Sequence, residues 1–314
     1  MAGSSAPRRL PGAEPQLSGC ARELLIYRSA SMLSPFEQAT FLGVLQGLTE
    51  FLPISSDGHL ALAQMLLEVD GGGLTLSVLL HTGTLLATVI YFRARIALVL
   101  VDLWESLRQK RLPVAGTPAW DAVIVLVASV PTALIGLLLR DTVARWTEQP
   151  LATGFGFIVT ALLLTSTLWA RPGSKPSPSL AAALLLGVAQ GLAVAPGLSR
   201  SGSTIVAALW LGVRSERAFE LSMLMSIPAV AGAVLLESLG GDAMTGRVLP
   251  LLSGAVMAFG VGLVALSLLK RMVSRGHLAW FALWVLPVAL ATLALAKAWP
   301  GEMRPPDAAT SISD

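Results

Sequence analysis

One short segment concentrates the side chains that could do chemistry. EFLPISSDGHL, residues 50–60, carries two acids, two hydroxyls and an imidazole: Glu50, Ser55, Ser56, Asp57 and His59. A serine activated by a histidine is a common arrangement for nucleophilic attack, and His59 follows Ser56 by three residues. The spacing allows an alternative, in which a serine caps a helix and His59 is a satisfied core residue.

A second segment, PGLSRSGST at residues 196–204, places Arg200 in apolar surroundings, where an arginine needs an anionic partner. That partner is either Glu50, in a structural ion pair, or a phosphate held by the forked guanidinium. The neighbouring hydroxyls and the start of a helix favour a phosphate. The candidate phosphate-binding residues are Ser55, Ser199, Arg200, Ser201 and Thr204.

Gln46 and Glu50 are four residues apart and therefore share one helical face. A carboxylate at this depth must be protonated, paired with a cation or bound to a metal. Mg²⁺ or Ca²⁺ would take carboxylate, amide and phosphate oxygens together, which makes Gln46 and Glu50 candidate metal ligands, to which Asp57 is added below from a family resemblance. His81, inside the apolar segment LLHTGTLL, is interpreted as a packing residue or an indirect contributor to the site.

The composition predicts a membrane protein. Of the 314 residues, 54% are hydrophobic and 13% are charged. Almost all basic residues lie in tails, loops or segment ends, so the net charge of +3 gives no reason to expect a nucleic-acid partner. The single cysteine, Cys20, excludes an internal disulfide.

We predict an all-α integral membrane protein with six transmembrane helices and two re-entrant broken helix pairs. A span needs about 20 apolar residues, and six stretches qualify: about 74–92, 120–139, 151–170, 218–237, 248–269 and 278–297. Two further apolar regions are each interrupted by proline and glycine, as buried irregular backbone requires. These regions are 36–69, broken at PISSDG, and 180–212, broken at PGLSRSG.

The two broken regions resemble each other. LGVLQGLTEFLPISSDGHL, residues 42–60, aligns without gaps on LGVAQGLAVAPGLSRSGST, residues 186–204. Because three spans follow each broken pair, the second unit must enter the membrane in the opposite direction, which is an inverted repeat. The loop tips should then meet near mid-membrane, with Ser56 opposite Arg200. The predicted units are repeats 35–170 and 180–299, a disordered tail 1–34 and a tail 300–314.

The distribution of lysine and arginine predicts the orientation. The connection 93–111 and the turn 270–277 are rich in basic residues, as are the segments around Arg171 and Arg214. We therefore place this side in the cytoplasm and both termini outside, although the N-terminal tail carries four arginines that would have to be translocated.

EFLPISSDGHL and PGLSRSGST resemble the two signatures of the bacterial undecaprenyl-diphosphate phosphatases, also called bacitracin-resistance proteins (BacA/UppP). LLHTGTLLATVIYF and VPTALIGLLL resemble further segments of that family, so that the similarity covers about residues 36–298. The resemblance implies a divalent-metal-dependent enzyme of the bacterial cytoplasmic membrane that opens to the outer face. It would remove the terminal phosphate of a polyprenyl diphosphate and so recycle the carrier lipid for cell-wall synthesis.

The same resemblance implies a role for each matching residue. Glu50 is the key acid with Gln46 as its companion, Ser56 and His59 form the nucleophile and base region, and Arg200 clamps the phosphate. Whether the serine or the histidine attacks stays open, and a homodimer is possible. Two positions depart from the common pattern: a neutral Gln46 replaces an acid, and Asp57 replaces a small hydroxyl residue. Our hypothesis is that Asp57 offsets the missing carboxylate.

A transporter of an anionic polyprenyl lipid is the alternative function, because inverted repeats with broken helices are common in secondary transporters. The serine and histidine opposite an arginine favour the enzyme, since a carrier needs an anion clamp but no nucleophile.

Overall fold

The computed structural model describes residues 33–67, 73–171, 173–240 and 248–298. The named secondary-structure elements in these ranges are all helices. The first half contains α1 (Pro35–Phe51), α2 (Ser56–Leu66), α3 (Gly73–Tyr91), α4 (Arg93–Arg108), α5 (Pro118–Thr147) and α6 (Pro150–Ser166). The second half contains α7 (Leu180–Leu192), α8 (Arg200–Trp210), α9 (Ser215–Gly240), α10 (Val248–Ser274) and α11 (Ala282–Ala298). Short 3₁₀ turns at Thr167–Trp169 and Leu278–Phe281 extend α6 and precede α11.

The helices fit a multi-pass membrane protein. Five are long and apolar enough to cross a bilayer, and a sixth span is reached if Thr75–Tyr91 and Arg93–Arg108 count together across their 68° bend. Each of the six predicted spans coincides with one of these helices, counting the adjoining 3₁₀ turns, and only residues 92 and 170 lie beyond the helix ends. Apart from residues 33 and 34, the predicted tails 1–34 and 300–314 lie outside the described residues.

The connection 93–111 is helical for most of its length, because residues Arg93–Arg108 form the helix α4. Its basic residues indicated a loop, yet the segment contains no glycine or proline and mixes strong helix formers with apolar residues. A buried ion cluster fixes α4 to its neighbours. Asp121 of α5 accepts hydrogen bonds from Arg95 of α4 and from Arg217 of α9, with Nη2–O distances of 2.6 Å in both pairs.

Both broken helix pairs are present as helix, break and helix. A capping box at Ser34, whose hydroxyl accepts from the amide of Glu37, starts α1. Pro53 cannot continue α1, and the chain turns through Leu52–Ser55 into α2. Ser55 caps α2 by accepting from the Gly58 amide at 3.4 Å, and Ser199 caps α8 by accepting from the Gly202 amide at 3.1 Å.

The first helix of each broken pair packs against a long helix from the other half of the chain. Helix α1 lies against α10, and α7 lies against α5. Aligned glycines lie in both contacts: a Cβ on Gly43 would lie 2.3 Å from the Gly254 carbonyl oxygen, and one on Gly187 would lie 2.1 Å from that of Ala128. Small residues permit this approach, as in other membrane helix pairs.

We expect Gly187→Ala to lower the free energy of unfolding by about 1–3 kcal/mol, because the added methyl overpacks the contact between α7 and α5. Gly136→Ala is the matched control, since a Cβ there meets nothing within 4 Å and alanine favours the helix. Thermal unfolding in detergent measures both. Equal midpoints for the two variants would contradict the close packing.

Candidate active site

The two breaks meet. A Cβ on Gly58 would lie 3.0 Å from the Cα of Gly197, and one on Gly202 would lie 3.2 Å from the Cβ of Pro53. A small cavity of about 40 Å³ lies where they face each other. It is lined by residues of both breaks: Thr49, Glu50, Ser55, Ser56, Asp57, Ala193, Leu198, Ser199 and Arg200. The sequence alignment had placed these segments opposite each other, and in the structure they line one site.

Glu50 is the centre of the polar contacts. Its Oε1 accepts a hydrogen bond from Nη2 of Arg200 in a direct ion pair. Its Oε2 accepts from the Ser56 hydroxyl at 2.8 Å and from the Gln46 amide nitrogen at 3.0 Å. Glu50 is only 7% exposed. One buried carboxylate therefore collects an arginine, a serine and a glutamine.

The ion pair between Glu50 and Arg200 is the structural alternative weighed from the sequence, and it is present. It leaves the guanidinium incompletely used, however, because Nη1 of Arg200 is buried without a hydrogen-bond partner. Oε1 of Gln46 is buried and unpartnered as well. An unmet buried donor and an unmet buried acceptor each carry a desolvation penalty of about 1–3 kcal/mol. Gln46 and Arg200 each bind Glu50 through another atom, so an unmet acceptor and an unmet donor belong to the two side chains that hold this carboxylate.

His59 makes its hydrogen bonds with groups other than the Ser56 hydroxyl. Its Nδ1 lies 2.8 Å from the Ser55 carbonyl oxygen, and its Nε2 accepts a hydrogen bond from Nε1 of Trp284 at 3.1 Å. The ring also packs edge-on against Phe157. Because Trp284 can only donate, the hydrogen of a neutral His59 must be on Nδ1. Both nitrogens are engaged, which corrects the expectation that His59 shares a proton with Ser56.

The contacts of His59 instead support the turn that presents Ser56. Ser55 has φ = 71°, which is unusual for a residue with a side chain. Its carbonyl is the group that His59 binds, and Trp284 holds His59 from the last helix, α11. The first break is thereby fixed by a residue from the opposite end of the chain.

His81 is the residue whose position the sequence left least determined, since it was interpreted as a packing residue or an indirect contributor. Its Nδ1 faces the Ser77 carbonyl oxygen at 2.9 Å, which directs Nε2 toward two carboxylates. Nε2 lies 3.5 Å from Oδ1 of Asp57 and 3.9 Å from Oε2 of Glu50. A histidine inside an otherwise apolar span was the signal for this position.

The remaining candidates divide into two groups. Ser55 and Ser199 line the cavity, although their hydroxyls also cap α2 and α8. Ser201 and Thr204 are not among the lining residues. The Ser201 hydroxyl lies 3.3 Å from that of Ser199, and the Thr204 hydroxyl lies 2.6 Å from that of Ser222 on α9. These two hydroxyls are already used within the protein.

We expect the ¹⁵N side-chain spectrum to show His59 as a neutral ring protonated on Nδ1, with Nε2 shifted when Trp284→Phe removes its donor. The chain has three histidines, which keeps the spectrum assignable. Trp280→Phe is the matched control, because Trp280 stacks on His277 with centroids 4.9 Å apart. An unchanged chemical shift of His59 Nε2 in Trp284→Phe would contradict the hydrogen bond.

Comparison with known proteins gives a consistent group. The family model described as "Bacitracin resistance protein BacA" matches residues 39–291. An undecaprenyl-diphosphatase of Treponema denticola is 38% identical over 256 residues, covering 81% of this chain and 94% of the relative. One of Korarchaeum cryptofilum is 37% identical over 260 residues, covering 82% and 98%. One of Syntrophotalea carbinolica is 40% identical over 257 residues, covering 79% and 94%.

Proposed function

The chain belongs to the bacitracin resistance protein BacA family, and we propose that it hydrolyses undecaprenyl diphosphate to undecaprenyl phosphate and inorganic phosphate in the membrane. The observation that carries this function is the buried, unpartnered Nη1 of Arg200 beside the Ser56 hydroxyl and the Glu50 carboxylate. A hydrogen-bond donor for phosphate, a nucleophile and a proton acceptor thus lie within one small cluster. This reaction would recycle the carrier lipid. Bacitracin resistance is the property for which the family is named.

Ser56 is the nucleophile in this proposal, and Glu50 is its base. The Ser56 hydroxyl already donates to Oε2 of Glu50 at 2.8 Å, whereas His59 is engaged elsewhere. The serine oxygen would form a bond to the terminal phosphorus as the proton passes to Glu50. The bond from that phosphorus to the bridging oxygen would break, and undecaprenyl phosphate would leave. Water would then release phosphate from the serine.

Arg200 would have two partners in turn. In the structure it neutralises Glu50. A terminal phosphate is a competing bidentate partner for a guanidinium, and its arrival would draw Arg200 away and leave Glu50 able to accept the proton of Ser56. The cavity of about 40 Å³ holds only one or a few waters, so the breaks must separate to admit the head group.

This site could hold a divalent cation, Mg²⁺ or Ca²⁺, only if the substrate supplied some of the ligand oxygens. The described residues contain no group of three or more histidine, cysteine, aspartate or glutamate side chains that could hold one. The unpartnered Oε1 of Gln46 is nevertheless a suitable ligand oxygen beside Glu50, and the Asp57 carboxylate lines the same cavity. Mg²⁺ typically combines one or two carboxylates with substrate phosphates, and it would neutralise the diphosphate.

The inverted repeat with two re-entrant pairs is part of the proposal. Exchange of the two halves maps the α1–α10 contact onto the α7–α5 contact, and the aligned Gly43 and Gly187 lie in these two contacts. Helix α6 packs on its own counterpart α11, as an element beside a pseudo-two-fold axis would. Basic residues on α4 favour a cytoplasmic location for that side. Family membership is the support for placing the site at the outer face of the bacterial inner membrane. A homodimer stays a prediction.

We expect Ser56→Ala and Arg200→Lys to lower phosphate release from a polyprenyl diphosphate by about 100-fold or more, because one loses the nucleophile and the other the forked donor. Ser203→Ala is the matched control, because Ser203 lies on the same helix as Arg200 but outside the cavity lining. The assay uses the purified full chain in detergent with Mg²⁺ or Ca²⁺. A folded wild type that releases no phosphate would favour the lipid transporter.

Asp57→Thr tests whether Asp57 offsets the neutral Gln46. We expect the cation concentration for half-maximal activity to rise about tenfold, because one of two carboxylates beside the substrate is lost. Direct titration calorimetry with Mg²⁺ and a non-hydrolysable diphosphate provides a readout besides activity. Unchanged metal dependence in Asp57→Thr would refute the compensation, and Gln46→Glu in the same background should restore it if the idea is right.

A further inference from the structure

A second pocket lies at the opposite end of α8 from the candidate active site. Its volume is about 340 Å³, and it is lined by Trp169, Arg171, Gly173, Ser174, Lys175, Leu209, Trp210 and Gly212. Helix α8 begins at Arg200 and ends at Trp210. Eleven residues at 1.5 Å each place the two sites about 15 Å apart along the helix. We call this second pocket the tryptophan pocket.

The backbone of the tryptophan pocket is fixed. Lys175 and Val213 form a parallel bridge, in which the Lys175 amide donates to the Gly212 carbonyl at 3.0 Å and the Arg214 amide donates to the Lys175 carbonyl at 3.1 Å. A Cβ on Gly173 would lie 2.3 Å from the carbonyl oxygen of Val213. Gly173 and Lys175 are therefore packed directly on the residues that follow α8, and they give this side of the pocket a defined wall.

The pocket combines positive charge with aromatic surface. Arg171 and Lys175 supply two cations, the lining contains no acidic residue, and neither cation has an ion-pair partner in the described part of the chain. Trp169 is 70% exposed and Trp210 is 54% exposed. The Trp210 indole donates to the Ser166 hydroxyl at 3.1 Å, which sets the ring orientation. Exposed tryptophans beside cations are typical of the membrane interface.

We propose that the tryptophan pocket binds the head group of an anionic phospholipid. The phosphate would contact Arg171 and Lys175, and the acyl chains would run over the tryptophan rings and the neighbouring Leu168, which is 67% exposed. A soluble phosphate would not need this adjoining apolar surface. The volume suits a phosphoglycerol group, since small-molecule sites begin at about 300 Å³. The proposal does not depend on the hydrolytic reaction.

Arg171 is the residue to change. Nζ of Lys175 donates to the Leu211 carbonyl at 2.9 Å and thereby also closes the end of α8, so its removal would disturb the helix. The Arg171 side chain has no such structural bond among the described residues. Arg275→Gln is the matched control, because Arg275 is an exposed cation outside the pocket.

The experiment measures tryptophan quenching by brominated lipids in bilayers that contain the full chain. Brominated phosphatidylglycerol and brominated phosphatidylcholine are compared at equal mole fraction. We expect phosphatidylglycerol to quench preferentially, and Arg171→Gln to reduce that preference about fivefold while Arg275→Gln leaves it unchanged. The double variant Trp169→Phe and Trp210→Phe should remove the selective component of the signal.

Equal quenching by the two lipids in the wild type would overturn the proposal. So would a selective signal that survives loss of both tryptophans, or an equal loss of preference in Arg171→Gln and Arg275→Gln. Soluble glycerol phosphate is added in a further arm, and displacement of the lipid by it at low concentration would show that a free phosphate is the occupant. Wild-type rates of phosphate release in Arg171→Gln would confirm that this variant is folded.

Discussion

The ion pair between Glu50 and Arg200 is the constraint on which the site depends. It joins residues 150 positions apart, one from each break, in a part of the protein where an uncompensated charge is severely penalised. Removing one partner of a buried pair typically destabilises a protein by about 3–5 kcal/mol. Each charge compensates the other, so the pair favours the arrangement in which the two breaks face each other and line one cavity.

A pair that only stabilised the fold would have satisfied both side chains. Instead, Nη1 of Arg200 and Oε1 of Gln46 stay buried without partners on either side of Glu50. The protein thus tolerates two unmet polar atoms in side chains that bind Glu50. Nη1 of Arg200 is the more informative of the two, because Arg200 lines the cavity, whereas the aligned Gln190 also has an unpartnered Oε1 and does not line it.

The sequence was sufficient to predict the spans and the meeting of the two breaks, because both depend on patterns that can be read directly along the chain. Apolar run length gave the spans, and the gapless match of 42–60 with 186–204 placed Ser56 opposite Arg200. Helix α4 was missed because basic residues at the ends of an amphipathic helix resemble a cytoplasmic loop. The cluster around Asp121 was also missed, since its partners Arg95 and Arg217 are 26 and 96 residues away.

The two histidines show why side-chain roles were harder to predict than helices. His59 follows Ser56 by three positions on one helical face. However, Ser55 takes a positive φ at the start of α2, and the imidazole of His59 binds the Ser55 carbonyl and Trp284. His81 comes from a different helix, and no local spacing relates it to Asp57 or Glu50. Contacts of this kind depend on how α3 and α11 pack around the first break, which sequence periodicity does not encode.

The duplication is most informative where its halves differ. Gln46 and Gln190 are equivalent, yet Nε2 of Gln46 binds Glu50, whereas that of Gln190 binds the Thr132 hydroxyl and the Met225 carbonyl. Val194 occupies the position equivalent to Glu50, and Arg200 the position equivalent to Ser56. In the aligned segments, a carboxylate and a serine on one side therefore face a guanidinium on the other, and the opposite charges attract each other across the interface.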